Sequence, residues 1–352
     1  MIFDKIKINN TVLKNRIVIS PMCQYSANNG SPSKWHYKHL SNLSSCGASM
    51  LILESTAVEK NGKISNKDLC LYNDTHKKNL TKLVKFIKKK NDIKIGIQIS
   101  HAGRKGSSNL PWVKHNYPLK GKYSWKTSAP SSIKRDKHWP NPEEMTLSQI
   151  KKLIQKFLKS AILANESGID NLEIHMAHGY LLHEFFSPIS NKRTDMYGGN
   201  LKNRCRLLIE IASAIRSIWP RKKILGARIT GSDHLKNGIN IKESIFLTKE
   251  LKKNGIDYVS ISSGGILPKT KMKTGQAYRS KMSKQIKKAS KIVTTTSGEI
   301  TRFDVAENLI KSNTVDFITV ARVVIQNPNW VFHLAKFHNK TDIIPKQYLR
   351  IF

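Results

Sequence analysis

The chain has 352 residues, 61 Lys and Arg against 24 Asp and Glu, and a formal net charge of +37. A hydrophobic fraction of 39% supports a sizeable core and excludes a disordered chain, and no apolar run approaches the length of a membrane span. The basic residues are spread along the whole chain, and Lys, Asn and Ile are all plentiful, so the charge reads as the surface drift of an AT-rich coding sequence. A polyanion site and an anionic substrate or cofactor are the alternatives; neither a nucleic-acid nor a membrane partner is expected.

The N-terminus, Met1-Ile2-Phe3-Asp4-Lys5-Ile6, carries no signal-peptide core, which predicts a cytoplasmic protein. Residues 3–13 alternate around Asn9-Asn10 and predict a hairpin, within a cap of residues 1–15. Eight short apolar, β-branched runs follow, at residues 17–22, 50–56, 95–100, 171–176, 224–230, 258–263, 292–296 and 317–321. Most of the segments between them carry helical periodicity. Thr146-Leu147-Ser148-Gln149 is a capping box opening a helix that Gly168 ends. Residues 201–218 form a second helix stopped by Pro220, and Thr301 is placed to cap a third across Val305, Leu309 and Ile310.

Apolar strands alternating with amphipathic helices predict an α/β chain with a parallel sheet covered by helices. Eight repeats, with no G-x-G-x-x-G after a strand, favour a closed (β/α)8 barrel, the TIM barrel, over an open sheet. No Gly- or Ser-rich linker interrupts the chain, so residues 1–352 read as one domain. The segment 103–145, with five prolines and three tryptophans, predicts a long loop after strand three, either a lid or substrate wall or a tolerated surface insertion. Cys23, Cys46, Cys70 and Cys205 have no paired or cluster spacing, so neither disulfides nor a metal cluster are expected.

In such a barrel the chemistry sits where the strands end. Strand one delivers Ser20-Pro21-Met22-Cys23-Gln24-Tyr25, strand two ends at Ala57, and strand three carries Gln98 and runs into His101-Ala102-Gly103-Arg104. Strand four gives His175, His178 and Tyr180, and strand five gives Arg228. The turn after strand seven is Ser297-Gly298, and strand eight ends in Ala321-Arg322. From the residues alone, His175 and His178 are a catalytic donor pair, a local hydrogen-bonding pair, or part of a metal site with His183. No carboxylate or cysteine at suitable spacing completes a metal shell, so no metal is expected.

These segments also carry a resemblance. Ser20-Pro21-Met22-Cys23-x-Tyr25, Gln98-x-x-His101-Ala102-Gly103-Arg104-Lys105, His175-x-Ala177-His178-Gly179-Tyr180-Leu181, Leu182-His183-x-Phe185-x-Ser187-Pro188 and Asn191-x-Arg193-Thr194-Asp195-x-Tyr197-Gly198-Gly199 resemble the Old Yellow Enzyme family. The likeness is to its bacterial "thermophilic-like" branch, which has cysteine after Ser-Pro-Met. It spans nearly the whole chain.

The resemblance implies an FMN-containing barrel that takes hydride from NADPH or NADH and reduces the activated C=C bond of enone-type, α,β-unsaturated carbonyl substrates. His175 and His178 would then bind the carbonyl oxygen, and Tyr180 would protonate the α-carbon. Gln98 would meet the flavin pyrimidine edge, Arg228 its N1 and O2, and Cys23 its N5, with Ser20, Pro21, Met22 and Ala57 beside the cofactor. Tyr25 would help to close the substrate pocket. Ser297, Gly298, Ala321 and Arg322 would hold the phosphate. The tail, residues 338–352, implies a homodimer or homotetramer in which Arg350 enters a neighbouring active site.

Two positions depart from the pattern. The turn Thr294-Thr295-Thr296-Ser297-Gly298-Glu299 keeps one glycine of a usually glycine-rich loop, and Met176 stands where glycine is common. A tRNA-acting flavin barrel of the dihydrouridine-synthase type is the alternative function, and a non-catalytic binding barrel the third. Relatives of the dienoyl-CoA reductase type need a cysteine cluster that this chain lacks.

Overall fold

The eight apolar runs close into a barrel. The structure, a computed structural model, describes residues 1–268, 270 and 272–352. Its parallel strands are β1 (Ile17–Ile19), β2 (Met50–Ala57), β3 (Lys94–Ser100), β4 (Asn171–Met176), β5 (Ile224–Thr230), β6 (Tyr258–Ser262), β7 (Val293–Thr296) and β8 (Phe317–Val320). Each pairs with its neighbours in sequence, and β8 returns to β1 through Ile318 beside Ile17 and Val320 beside Ile19. Every residue of β1, β2, β4, β5 and β6 is buried, as strands covered outside by helices must be.

The strand ends differ from the sequence reading in one instructive place. β1 stops at Ile19, three residues short of the expected end. Ser20 N–H still reaches Val320 O at 2.9 Å, but Pro21 has no N–H to continue the ladder, and the segment that follows leaves the sheet. The Ser20–Tyr25 stretch is therefore a loop across the barrel mouth rather than a strand.

Helix ends follow their local chemistry. The helix Leu147–Glu166 starts in the expected capping box: Gln149 N–H donates to Thr146 Oγ1 at 3.2 Å and Thr146 N–H to Gln149 Oε1 at 2.8 Å. Gly168 ends it in a left-handed conformation, φ +82°. The helix Leu201–Ile218 stops just before Trp219-Pro220. Thr301 does not cap the next helix: Phe303–Lys311 starts after Arg302, and Thr301 Oγ1 instead accepts from Gln276 Nε2 at 2.6 Å.

At the bottom of the barrel Ile6–Ile8 pairs antiparallel with Thr11–Leu13. Ile8 and Leu13 pack with Val18, Met50, Ile52, Ile224, Tyr258 and Phe317, so the hairpin does plug the end where strands begin. The connection after β3 holds a short helix, Pro111–Lys114, and a tiny sheet of Ser128–Ala129 with Glu143–Glu144. Arg193 ties its base to the body, donating to Pro130 O at 2.9 Å and to Met145 O at 2.6 Å.

At the top, the turn after β4 lies backbone-to-backbone on the turn after β6. Gly179 (φ +72°) has no room for a side chain, because a Cβ there would stand 2.1 Å from Gly265 O. A Cβ on Gly265 (φ +92°) would stand 2.9 Å from the His178 backbone. The two glycines thereby fix where His178 sits relative to β6. Gly179→Ala is expected to lower stability by about 2 kcal/mol or more through strain and clash. An unchanged denaturant midpoint would show that these turns do not touch.

Candidate active site

The ends of β1, β3, β4, β5, β6 and β7 gather a polar cluster at the barrel mouth. His175 lies near the end of β4, and the rings of His175, His178 and Tyr180 are mutual neighbours: centroids are 5.0 Å apart for the two histidines, 4.8 Å for His175 and Tyr180, and 6.5 Å for His178 and Tyr180. Both imidazoles are held well below their ordinary pKa, first by burial and then by the Arg228 guanidinium, so both are neutral with one donor and one acceptor each.

Their tautomers follow from the bonding. Ala177 N–H donates to His175 Nδ1 at 3.2 Å. A backbone amide only donates, so the His175 proton is on Nε2, which faces His178 Nδ1 at 3.1 Å. His178 Nε2 in turn meets the hydroxyl of buried Ser262 on β6. The expected pair of independent donors is thus a chain, and Ser262 is a member the sequence reading missed. His183 does not join it: its Nδ1 accepts from Gly179 N–H at 2.7 Å and its Nε2 lies 2.9 Å from Asp233 Oδ1. That pair anchors the β4 turn from below.

Tyr180 is kept protonated far above its ordinary range, chiefly by burial. Lys105, from the turn Gly103–Lys105, donates to His178 O at 2.7 Å and lies 4.9 Å from the centre of the Tyr180 ring. Burial, with repulsion from Arg135, brings its ammonium down to about 7. Glu184 is pushed up to about 8 by burial. Lys105 stands at the end of the quoted Gln98–Lys105 motif, so a signal for it was present.

Below the trio, Gln98 Nε2 donates to Glu173 Oε1 at 2.7 Å, and Tyr258 Oη donates to Glu173 Oε2 at 2.9 Å. One N–H of the Gln98 amide is therefore committed to Glu173, and its second N–H and its carbonyl oxygen are left to donate and accept. Arg228 is buried, donates to Ser20 Oγ at 3.3 Å, and its Nε has no partner. Cys23 is raised well above the ordinary thiol range by burial and then by Glu54. Tyr25, also raised by burial, has a left-handed backbone (φ +49°) and packs edge-on to Trp112 at 6.1 Å. Met22 and Pro21 are in the same loop, and Ala57 is buried at the end of β2.

Beside Arg228 a cavity of about 450 Å³ opens between the ends of β7 and β8 and the connection that follows β6. Ser20, Ser297, Gly298 and Ala321 line it, as does Arg279, which sequence reading missed because residues 264–280 lack any periodic pattern. Arg279 donates to Ser263 Oγ and Ser297 Oγ, each at 3.2 Å, and makes no ion pair among the described residues. Burial lowers it to about 10. Arg322 lines the same cavity, its side chain 79% exposed and its guanidinium 3.7 Å from Glu299 of the altered turn. Arg350 is exposed in a tail whose Tyr348 and Phe352 pack on Phe332, which abuts Gly47 ahead of β2.

The barrel mouth thus gathers neutral histidines, a protonated phenol and two arginines, Arg228 and Arg279, that make no ion pair among the described residues. Residues 1–341 match the family described as NADH:flavin oxidoreductase / NADH oxidase. The NADPH dehydrogenase of Clostridium acetobutylicum is 36% identical, over 100% of this chain and 99% of that protein. Among solved structures, the old yellow enzyme homologue from Zymomonas mobilis superposes with a TM-score of 0.79 at 22% identity, covering 96% of this chain and 92% of that one. A 2-naphthoyl-CoA reductase superposes at 0.86 with 24% identity over 97% of this chain, which spans 52% of that protein. The chain belongs to the NADH:flavin oxidoreductase family, the Old Yellow Enzyme family. It is an NAD(P)H-dependent flavin oxidoreductase of the NADPH dehydrogenase type, and among the described residues no helix is long and apolar enough to cross a membrane.

Because both site histidines are depressed, their imidazole signals should stay those of neutral rings as pH falls through 6.5, the ordinary histidine value. The unfolded chain takes up those protons first, so stability should fall below that pH. NMR titration of His175→Gln and His178→Gln variants assigns the signals; a midpoint near 6.5 for either ring would contradict the burial described.

Proposed function

We propose that the chain binds FMN at the barrel mouth and uses hydride from NADPH or NADH to reduce the activated C=C bond of α,β-unsaturated carbonyl compounds. The observation that carries this reading is the His175/His178/Tyr180 group standing beside Gln98 and Arg228. The donor set suits the cofactor: Arg228 Nε is buried without a partner, and Arg279 faces the cavity with hydroxyls as its only hydrogen-bond partners among the described residues. Arg228 would stabilise negative charge on the flavin pyrimidine, toward which the Gln98 oxygen offers an acceptor. Arg279, with Ser297 and Gly298, would be the main hold on the phosphate, ahead of Arg322, whose charge Glu299 offsets on the same cavity wall. The chemistry that FMN supplies when bound is delivery of a hydride to the alkene β-carbon.

The remaining work falls to side chains. His175 offers Nε2–H to the substrate oxygen. The substrate oxygen would displace the His175 Nε2–H bond to His178 Nδ1, and because Ser262 can donate as well as accept, the His178 proton would then stand on Nδ1 with Nε2 accepting from the serine. Two donors on one oxygen draw charge away from the β-carbon and meet the oxyanion as it forms. Tyr180, protonated at any working pH, gives its proton to the α-carbon. Cys23, held as a thiol, adjusts the polarity near the flavin without attacking.

The purified protein should show a flavin spectrum that NADPH bleaches and cyclohexenone restores; a colourless protein that stays so when FMN is added would refute the reading. In Tyr180→Phe, reoxidation by cyclohexenone should slow by about 100-fold or more, far beyond any effect on flavin reduction. Equal losses in both would remove Tyr180 from the role of proton donor.

The phosphate assignment has its own test. Arg279→Met should weaken FMN binding about tenfold to a hundredfold while changing riboflavin affinity little, since riboflavin lacks the phosphate. If Arg322→Met gave the larger selective loss, the assignment would pass back to Arg322.

A further inference from the structure

We propose that Lys105 is a positioning residue for proton transfer: its ammonium, held over the Tyr180 ring, stabilises the phenolate left when Tyr180 protonates the substrate α-carbon. This rests on the function proposed above. Lys105 is fixed at two points, 2.7 Å from His178 O and 4.9 Å from the Tyr180 ring centre, so its charge is aimed and cannot swing to solvent without breaking a bond. Nothing in alkene polarisation or cofactor binding uses it.

The electrons fix what it does. After hydride reaches the β-carbon, the substrate is an enolate. The Tyr180 Oη–H bond breaks with its electron pair left on oxygen, the enolate pair forms the new α-C–H bond, and the negative charge moves from substrate to Tyr180. Water then reprotonates the phenolate, and Lys105 keeps its protons throughout. A cation over a neutral phenol feels only the ring quadrupole, whereas over a phenolate it feels a full charge in a site of low dielectric. The attraction therefore grows as the proton leaves, which accelerates that step selectively.

The charges facing Lys105 are Arg104 on its own turn, Arg135 from the long connection and Glu184 from the helix after β4, with the neutral rings of His175 and His178 alongside. Arg135 donates to Asn116 Oδ1 at 3.1 Å and lies over the Trp139 ring at 5.0 Å. Its charge also acts on Tyr180, so it is a second cation near the phenol that Lys105 faces directly. Burial and Arg135 depress the Lys105 ammonium, so its charge is present at lower pH and is lost as pH rises through about 7.

The FMN-loaded protein and its Lys105→Met and Lys105→Arg variants are each reoxidised by cyclohexenone across pH 5.5 to 9 in stopped flow. The wild-type rate should decline above pH 7. Lys105→Met should be slower by about tenfold to a hundredfold at pH 6 and lack the decline, while Lys105→Arg should recover most of the rate and stay flat. A purely structural tether to His178 O predicts no change in the pH profile, so an alkaline decline persisting in either variant overturns the proposal. The phenolate absorbance of Tyr180, isolated by subtracting the matching Tyr180→Phe protein, supplies a readout without substrate. It should form at lower pH in Lys105→Arg than in wild type or Lys105→Met, and an unmoved titration overturns the proposal. If that titration moves while the wild type reduces no enone, the charge coupling stands and the proposed substrate class falls.

Discussion

Burial of polar groups where the barrel strands end is the constraint from which the rest of the site follows. Closing eight strands and packing turns over their ends takes His175, Gln98, Arg228 and Glu173 out of water. Ionisation is then penalised wherever an opposite charge is not at hand. The histidines become neutral hydrogen-bonding groups, the phenol and thiol keep their protons, and the lysine is brought to the edge of losing one. Arginine alone resists, because its guanidinium stays charged at nearly any cost. Arg228 and Arg279 are left with hydroxyl partners rather than carboxylates among the described residues, and the FMN proposed above would supply the opposite charge.

The fold was legible because each strand is an unbroken apolar run and each connection carries a helical stripe or a cap. Thr146 with Gln149, and Gly168, act through atoms a few residues apart, so their roles are visible in one dimension. Pro21 was equally visible, yet the apolar Met22 beyond it made the first strand look longer than its hydrogen bonding allows. What stayed hidden depends on distant partners. Arg279 belongs to no periodic pattern and matters only because folding sets it between Ser263 and Ser297. Arg322 was read from its position, while its pairing with Glu299 on the cavity wall shows only in the fold. The tautomer chain from Ala177 through His175 and His178 to Ser262 runs from β4 to β6, past the β5 strand between them, a reach that the sequence does not show.

The excess of lysine also has a local account. Helices alternate with strands in one direction, so their C-terminal ends share the lower face of the barrel. Lys88, Lys89 and Lys90, Lys252 and Lys253, and Lys287 and Lys288 all lie in last helical turns, where the helix dipole is negative. Several are used there: Lys88 reaches Gly168 O at 2.7 Å, and Lys287 pairs with Asp316 at 3.0 Å. Part of the charge is therefore spent on the chain itself.

The protonated state of Cys23 has a consequence under the proposed enone chemistry. Electron-poor alkenes alkylate thiolates, and a cysteine beside the pocket would be their first target. Burial, with Glu54 and Asp68 nearby, denies it the thiolate form that reacts. On the substrate class proposed above, the same desolvation that keeps the histidines neutral would shield Cys23 from alkylation by the alkenes in the pocket.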